Sequence, residues 1–498
     1  KESNTMNKVG WLSVIVALGA ILYVAVPMAL HCNKKCLVQC TLFHPDFIYP
    51  IECFDYCECD LLVKLFPKRK DPPSHLLNQK SVRYQDRAED CPKGHAPPPV
   101  LHLKKEYQNA ETRPKQPNIF LFLFDDLDEL VSPYWEAMPF SKKLFLQNGT
   151  KYSNAFAQSS ICCPARCQIL TGLMGHNTGV LENHGIHGGL EAFIKPYYKN
   201  LRMKDSEGRC IDNQQRTVPL FLSEYANYRS SIVGKYLNGI ENTDHNILDH
   251  IPPGWTDVAL ASTHRFYNGF GYAFGYWRKG EDTVTYKWYG NTEADYSTDV
   301  CREETIKYID YNRQNGNKQP LFSYICSTAP HFPILPPQRH HNLTFYWYDQ
   351  YDKYVSNRPN YFNQTEAATK SRWLRESIPW RAKAEWMLHL EFAKRMATLY
   401  SLDEMIEGVY RKIESLGELD NTVFIMSSDN GYNMGAHMLL HKMSPYDEAS
   451  KVPLYIVGPG FGKGKVVDDL VLLTDLAPTF LDLAGLEIPE YFDSFSLL

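Results

Sequence analysis

Three observations predict an α/β fold built on a large sheet flanked by helices. Residues 118–124 (Asn-Ile-Phe-Leu-Phe-Leu-Phe) and 422–426 (Thr-Val-Phe-Ile-Met) are continuous apolar runs of strand length, the pattern of strands buried on both faces. Between them the chain alternates helix and strand patterns. Each run also ends in polar residues: Asp125-Asp126 after the first, and Ser427, Ser428, then Asp429-Asn430-Gly431 after the second. Ligands of open α/β sheets sit at this carboxyl-end edge.

Taken in order, the chain begins with a stretch from Val9 to Leu30 that carries no charge. A membrane helix needs about 20 apolar residues, whereas the apolar core of a signal peptide is about 7–15. Residues 1–31 therefore read as a signal-anchor or signal peptide, and the remainder as a chain entering the secretory lumen. The destinations compatible with that are the lysosome, the Golgi and the cell surface, including a type II membrane-anchored form. Six of the 13 cysteines crowd into Cys32 to Cys59, with Cys91 beyond them. No Cys-x-x-Cys pair is present there, so residues 32–92 read as a disulfide-stapled stem rather than a zinc site. The sequence loosens from Lys68 onward, and residues 93–116, with Pro97-Pro98-Pro99, read as an extended linker. A catalytic domain is expected over 117–498.

Within that domain, Ser401 to Leu416 has one apolar face and a glycine stop at Gly417, the signature of a helix. Thr474 to Gly485 repeats the pattern. Sequons at Asn148, Asn342 and Asn363 suggest glycosylated loops of a secreted chain. The net charge of −5 argues against a nucleic-acid partner. It leaves room for a polyanion held in a local cationic pocket.

The chemistry concentrates in Ser160-Ile-Cys-Cys-Pro-Ala-Arg-Cys-Gln-Ile-Leu-Thr-Gly172. Pro164 marks a turn, and the residues from Cys167 read as a short helix that ends at Gly172. Arg166 and a helix N-terminus both favour anions. By themselves Cys162, Cys163 and Cys167 fit buried packing, disulfides or a soft metal equally. The Asp-Asp and Asp-Asn pairs, brought to one sheet edge, suit calcium or magnesium; each alone would cap a helix or turn.

The spacing Cys-x-Pro-x-Arg followed by Leu-Thr-Gly resembles the sulfatase signature. Gly-Lys-Tyr-Leu-Asn at 234–238, Ile-Pro-Pro-Gly-Trp at 251–255, Arg265-Phe-Tyr-Asn268, Ala-Pro-His at 329–331, Ser-Asp-Asn-Gly-Tyr at 428–432 and Lys-Val-Pro at 451–453 extend the likeness. It is nearest to the glucosamine-6-sulfatase and extracellular heparan endosulfatase branch. The resemblance implies an alkaline-phosphatase-like sandwich with a large mixed sheet. It also implies Cys162 oxidised to formylglycine by the formylglycine-generating enzyme. One calcium ion would be held by Asp125, Asp126, Asp429, Asn430 and the modified Cys162. Arg166 would steady the formylglycine hydrate, and Lys235, His331, Lys442 and His176 would face the substrate sulfate. The implied substrate is the 6-O-sulfate of glucosamine units in a glycosaminoglycan such as heparan or keratan sulfate.

Four departures accompany this likeness. Ala165 replaces the usual serine and Leu127 the usual glutamine. Asn433 stands where the branch has histidine, with His437 or His441 as candidate substitutes. The terminal Phe492-Asp-Ser-Phe-Ser-Leu-Leu lacks the family's Asp-Gly-x-Ser form, and the smaller C-terminal subdomain is expected to be truncated. Two other functions are compatible with these features. One is a phosphoesterase of the same superfamily, which calls for a second metal set and a serine or threonine nucleophile. The other is an inactive, membrane-anchored glycan-binding homologue.

Overall fold

The computed structural model describes residues 91–498 except 110–113, 199–200, 241–250, 364, 366–368, 373 and 376–384. Ten strands form the central sheet: β1 (Asn118–Phe124), β2 (Thr150–Phe156), β3 (Arg229–Gly234), β4 (Asp257–Ala261), β5 (Ala273–Arg278), β6 (Thr285–Trp288), β7 (Leu321–Cys326), β8 (Thr422–Ser428), β9 (Leu454–Val457) and β10 (Lys465–Leu472). Across the sheet they run β10-β2-β9-β8-β1-β7-β3-β4-β5-β6. The middle of the sheet, β8-β1-β7-β3-β4, is parallel, and β9 and β5 flank it antiparallel. The expected mixed sheet is thus present, with its parallel part at the centre.

Strand β1 shows why the sheet has two dry faces. Its side chains alternate, so Ile119, Leu121 and Leu123 enter one core while Phe120, Phe122 and Phe124 enter the other. Among the described residues, the six helices of eight or more residues cover these faces: α1 (Cys162–Thr171), α2 (Val218–Tyr225), α3 (Ser297–Arg313), α4 (His341–Tyr351), α5 (Glu385–Ser415) and α6 (Leu476–Leu483). Helices α1, α2 and α6 pack on the Ile/Leu side, and α3, α4 and α5 on the Phe side. Each fully buried phenylalanine contributes about 1.5–3 kcal/mol, so β1 anchors both layers.

Two local expectations change. Helix α5 starts at Glu385 rather than Ser401, because Leu388, Phe392, Met396 and Leu399 continue its buried stripe. Helix α1 starts at Cys162, so the turn comes before the cysteine, at the extended Ile161. Pro164 then lies in the first turn, where its missing N–H would have had no helical partner. The stop is as expected: Gly172 is left-handed (φ 68°), and a Cβ there would meet the ring of Phe492 at 2.6 Å.

The segment read as a linker lies along the domain. Ala96 N donates to Cys210 O at 2.9 Å, Lys104 N to Gly485 O at 2.8 Å and Glu487 N to His102 O at 2.9 Å, with Leu101 buried beneath. Cys91, grouped with the stem in the sequence, is disulfide-bonded to Cys210 in the domain. Residues 1–90, with the candidate membrane span and the other stem cysteines, lie outside the described residues. Among the described residues no helix is long and apolar enough to cross a membrane.

Candidate active site

Strands β1 and β8 are parallel neighbours in register, with Phe124 beside Ser428. Their next residues, Asp125 and Asp429, therefore leave the sheet side by side. Asp429 N donates to Phe124 O at 3.1 Å, and Asp126 N to Asp429 Oδ1 at 3.3 Å. The chain then turns sharply, with Asp126 left-handed (φ 69°). That is an unfavourable conformation for a residue with a Cβ and persists only when the surroundings hold it.

Around this edge gather the other expected residues. Helix α1 brings Cys162, whose Sγ donates to Asp125 Oδ1 at 3.3 Å and accepts from Lys442 Nζ at 2.7 Å. One turn on, Arg166 is wholly buried, donating from Nε to Asp429 Oδ2 (2.8 Å) and from Nη1 to the Lys235 carbonyl (3.4 Å). Lys235, just past β3, reaches Asp125 Oδ2 at 2.5 Å, and Lys442 reaches Asp126 Oδ1 at 2.5 Å. Asn430 Nδ2 donates to the same Asp126 oxygen at 2.6 Å. His331 Nε2 lies 3.6 Å from Asp126 Oδ2.

The electrostatics follow from burial against pairing. Burial alone would raise the carboxyls, but for Asp125 the Lys235, His331, Lys442 and Arg166 charges prevail and hold it well below the usual range. Asp429, where burial and the charge of Asp125 outweigh Arg166, is raised. Burial, then Asp125, pushes the Cys162 thiol up to about 12. Burial lowers His331 to about 4, against the pull of Asp126 and Asp125. At neutral pH the cluster thus pairs carboxylates with two ammoniums and a guanidinium, around a protonated thiol and a neutral imidazole.

Ligand atoms of Asp125, Asp126, Cys162 and His331 lie within 4.8 Å of one another. Asn430 Oδ1 is buried without a hydrogen-bond partner, although its Nδ2 donates twice. A carboxylate set with one unsatisfied amide oxygen fits a hard cation such as calcium. Asp429 and Asn430 border the four-residue group through their hydrogen bonds to Asp126 and Arg166.

Other expected residues lie elsewhere. His176 is exposed on the short helix Gly175–Thr178 and lies outside the cluster's hydrogen-bond network. Asn433 is buried, and its Nδ2 donates to His441 O (2.9 Å) and Ser444 Oγ (3.1 Å), closing a small hairpin. His437 stacks on Tyr446 at 4.1 Å, 3.4 Å from Glu448, and His441 stacks on Tyr432 at 5.5 Å. Leu127 is buried core, its N–H held by Ser428 Oγ at 2.8 Å. Asn148 is exposed at a helix end and Asn363 is half-buried. Asn342 stands on α4, not in a loop.

The sequence reading missed Arg395. From α5 its guanidinium donates to the Asp126 carbonyl (2.6 Å) and the Pro330 carbonyl (3.0 Å), and lies 4.0 Å from the Tyr432 ring centre. It clamps the strained Asp126 to the segment carrying His331. Tyr267 was also missed as a contact: its ring packs 4.9 Å from His331 and 5.0 Å from Lys235 Nζ.

Residues 117–486 match the family model described as Sulfatase. The chain is 31% identical over 419 residues to the extracellular sulfatase SULF-1 homolog of Drosophila melanogaster, covering 80% of this chain and 32% of that protein. It is 31% identical over 397 residues to N-acetylglucosamine-6-sulfatase of Homo sapiens, covering 77% of this chain and 64% of the relative. It thus spans about a third to two thirds of these relatives. Among solved structures, BT4656 in complex with D-glucosamine-2-N,6-O-disulfate shares the fold (TM-score 0.52, 21% identity, 77% of this chain and 79% of that one). So does a phosphonate monoester hydrolase of Silicibacter pomeroyi (TM-score 0.52, 16% identity, 77% and 76%).

Proposed function

This chain belongs to the sulfatase family, and from that membership we propose that it hydrolyses sulfate esters with a formylglycine made from Cys162 and a calcium ion. The position of Cys162 carries the reading: it meets Asp125 and Lys442 at the mouth of α1, one turn before Arg166. As a thiol held at about 12 it is a poor nucleophile. The name of the human relative supports the 6-O-sulfate of (N-acetyl)glucosamine, in heparan or keratan sulfate, as substrate. The fold it shares with a phosphonate hydrolase does not by itself choose the ester.

Asp125, Asp126, Asp429 and Asn430 would hold the ion, which supplies Lewis-acid stabilisation of sulfuryl oxygens. Lys235 and Lys442 present ammonium charge where negative charge accumulates as the alcohol departs. Arg166, fixed by Asp429 and the Lys235 carbonyl, orients the nucleophilic side chain. His331, neutral and partly buried, can take a proton from the nucleophile through Nε2 and then hand that proton to the leaving oxygen. A formylglycine hydrate at residue 162 would supply two hydroxyls on one carbon, one oxygen to take the sulfuryl group and the other, on losing its proton, to expel sulfate by C–O cleavage and restore the aldehyde, without water attacking sulfur.

Maturation would take place in the secretory lumen, with the formylglycine-generating enzyme as partner. The Cys91–Cys210 bond supports an oxidising compartment. Lysosomal, Golgi or cell-surface residence, with anchoring through residues 9–30, is part of the same proposal. Asn433, whose Nδ2 is spent on its hairpin while its buried Oδ1 has no hydrogen-bond partner, favours a second reading as a glycan-binding homologue without turnover.

The test is mass spectrometry of the tryptic peptide 152–166 from protein secreted by a host that modifies a control sulfatase, joined to sulfate release from a chromogenic ester with and without calcium. Formylglycine with calcium-dependent turnover is expected. A uniformly unmodified thiol, or turnover of phosphate esters alone, overturns the proposal.

A further inference from the structure

Helix α1 begins without a cap of its own. Its N-cap residue is Ile161, an aliphatic side chain that makes no capping hydrogen bond. The first turn of a helix carries N–H groups that the helix cannot satisfy. Pro164 removes one of them, and Ala165 N donates to Ile161 O at 3.2 Å. The Cys163 N–H is served from 20 residues along the chain, where Asn183 Oδ1 accepts it at 2.9 Å. Asparagine is among the best capping side chains when it stands at the N-cap itself; here it reaches in from a separate loop. The peptide unit it grips joins Cys162 to Cys163. The hydrogen bond therefore fixes the plane from which the Cys162 side chain springs.

The loop that carries Asn183 is closed on itself and moored at its far end. Leu181 N and Glu182 N both donate to His187 O (2.7 and 3.0 Å), and Gly189 N donates to Glu182 O at 3.3 Å. Leu190 N then donates to Asn238 O at 2.8 Å, in the segment just beyond Lys235. The approach is close enough to require glycine. Gly189 is left-handed (φ 69°), and a Cβ there would meet Asn238 O at 2.8 Å and Asn183 O at 3.0 Å. Residues 181–190 thus form a strap from the start of α1 to the segment that carries Lys235. Arg166, on the same helix, joins the two elements a second time by donating from Nη1 to Lys235 O at 3.4 Å.

We propose that Asn183 is a positioning residue for the nucleophile: through the Cys163 amide it sets the start of α1 against the Lys235 segment, and so aims residue 162 at the bound sulfate ester. This rests on the proposed sulfatase function. The Cys162 thiol itself is met by Asp125 and Lys442, so Asn183 acts through the backbone and not on the reacting atoms. Its loss is expected in turnover and not in substrate binding. A reacting group misplaced by about 1 Å loses about 10²-fold in rate, and a loosened first turn allows part of that displacement.

The experiment uses the full chain, secreted by a host that modifies a control sulfatase. Mass spectrometry gives the formylglycine content at residue 162, so that rates refer to modified protein. In Asn183→Ala, kcat on a chromogenic sulfate ester is expected to fall about tenfold with KM unchanged. Asn183→Asp keeps the accepting oxygen, and its carboxylate suits the positive end of a helix, so it is expected to recover most of the rate. Where Asn183→Ala is not secreted, Asn183→Ser takes its place with the same split expected. An unchanged kcat overturns the proposal, as does a loss that Asn183→Asp fails to recover or a rise in KM at constant kcat. If the wild-type chain releases no sulfate, the proposed activity fails and the positioning is read by hydrogen exchange of the segment 160–166. Faster exchange in Asn183→Ala, recovered in Asn183→Asp, then supports it. Equal exchange overturns it.

Discussion

Two charge clusters in this molecule have similar membership and opposite settings. At the sheet edge that holds the candidate site, Asp125, Asp126 and Asp429 meet Arg166, Lys235 and Lys442, none more than 12% exposed. On the surface, Arg339 gathers Glu293, Asp299 and Glu404, with His340 also on Glu404, and Arg339 is 31% exposed. Water screens the second group, so each of its pairs is worth about 0.2–1 kcal/mol. The first is desolvated, and losing one partner there strands a buried charge at a cost of about 3–5 kcal/mol. Burial of paired charge is weak evidence for stability but keeps the ions at full strength, which is what an anionic transition state requires. The surface group can only tie α3, α5 and the segment at 338–340 together.

That contrast can be broken at four places. Cys162→Ser should have the largest functional effect: sulfate release falls on the order of 10³-fold or more, while stability hardly changes. A covalent sulfated protein seen by intact mass would mark the missing second hydroxyl. Lys442→Met, which strips Asp126 and Cys162 of their ammonium, should lower kcat about 10²-fold. It should also destabilise the calcium-free protein by about 3 kcal/mol in urea titrations, with part of that loss recovered on adding calcium.

Arg395→Lys sharpens the comparison, because it keeps the charge and loses the two-pronged grip on Asp126 O and Pro330 O. We expect kcat/KM about 10-fold lower and a higher calcium requirement, read from activity against free calcium. On the surface, Glu404→Gln should cost at most about 1 kcal/mol and leave turnover intact. Burial would raise Glu404, but hydrogen bonds from His340 and Arg339 hold it at about 2 against an ordinary 4.5. Its stabilisation is therefore full above pH 4.5 and fades as the pH falls from there toward 2. Thermal melts of wild type and Glu404→Gln across that window should converge on acidification.

How much could be read in the sequence follows from the range of the interactions. The buried strands declared themselves through unbroken apolar runs, and their polar ends put Asp125, Asp126, Asp429 and Asn430 on one edge. Cys162 and Arg166 were legible through the Cys-x-Pro-x-Arg spacing, although the helix that fixes their separation begins at Cys162 rather than at Cys167 as the sequence suggested. Lys442 was placed by spacing alone, and the hairpin at 433–441 carries it back to Asp126. Arg395 left no local trace, since an arginine in an amphipathic helix ordinarily points to water. It faces inward because two carbonyls from Asp126 and Pro330, distant in sequence, converge there.

The bond between Cys91 and Cys210 encloses a loop with a sequence separation of 119 residues, and Asp125, Asp126, Cys162 and Arg166 all lie inside it. A closed loop bears no tension. Mechanical load applied to the chain before Cys91 passes through the two sulfurs and enters the fold at Cys210, bypassing β1 and α1. Pulling on the chain before Cys91 would therefore strain the rest of the domain before it disturbed Cys162, the proposed nucleophile, and the first two acidic residues.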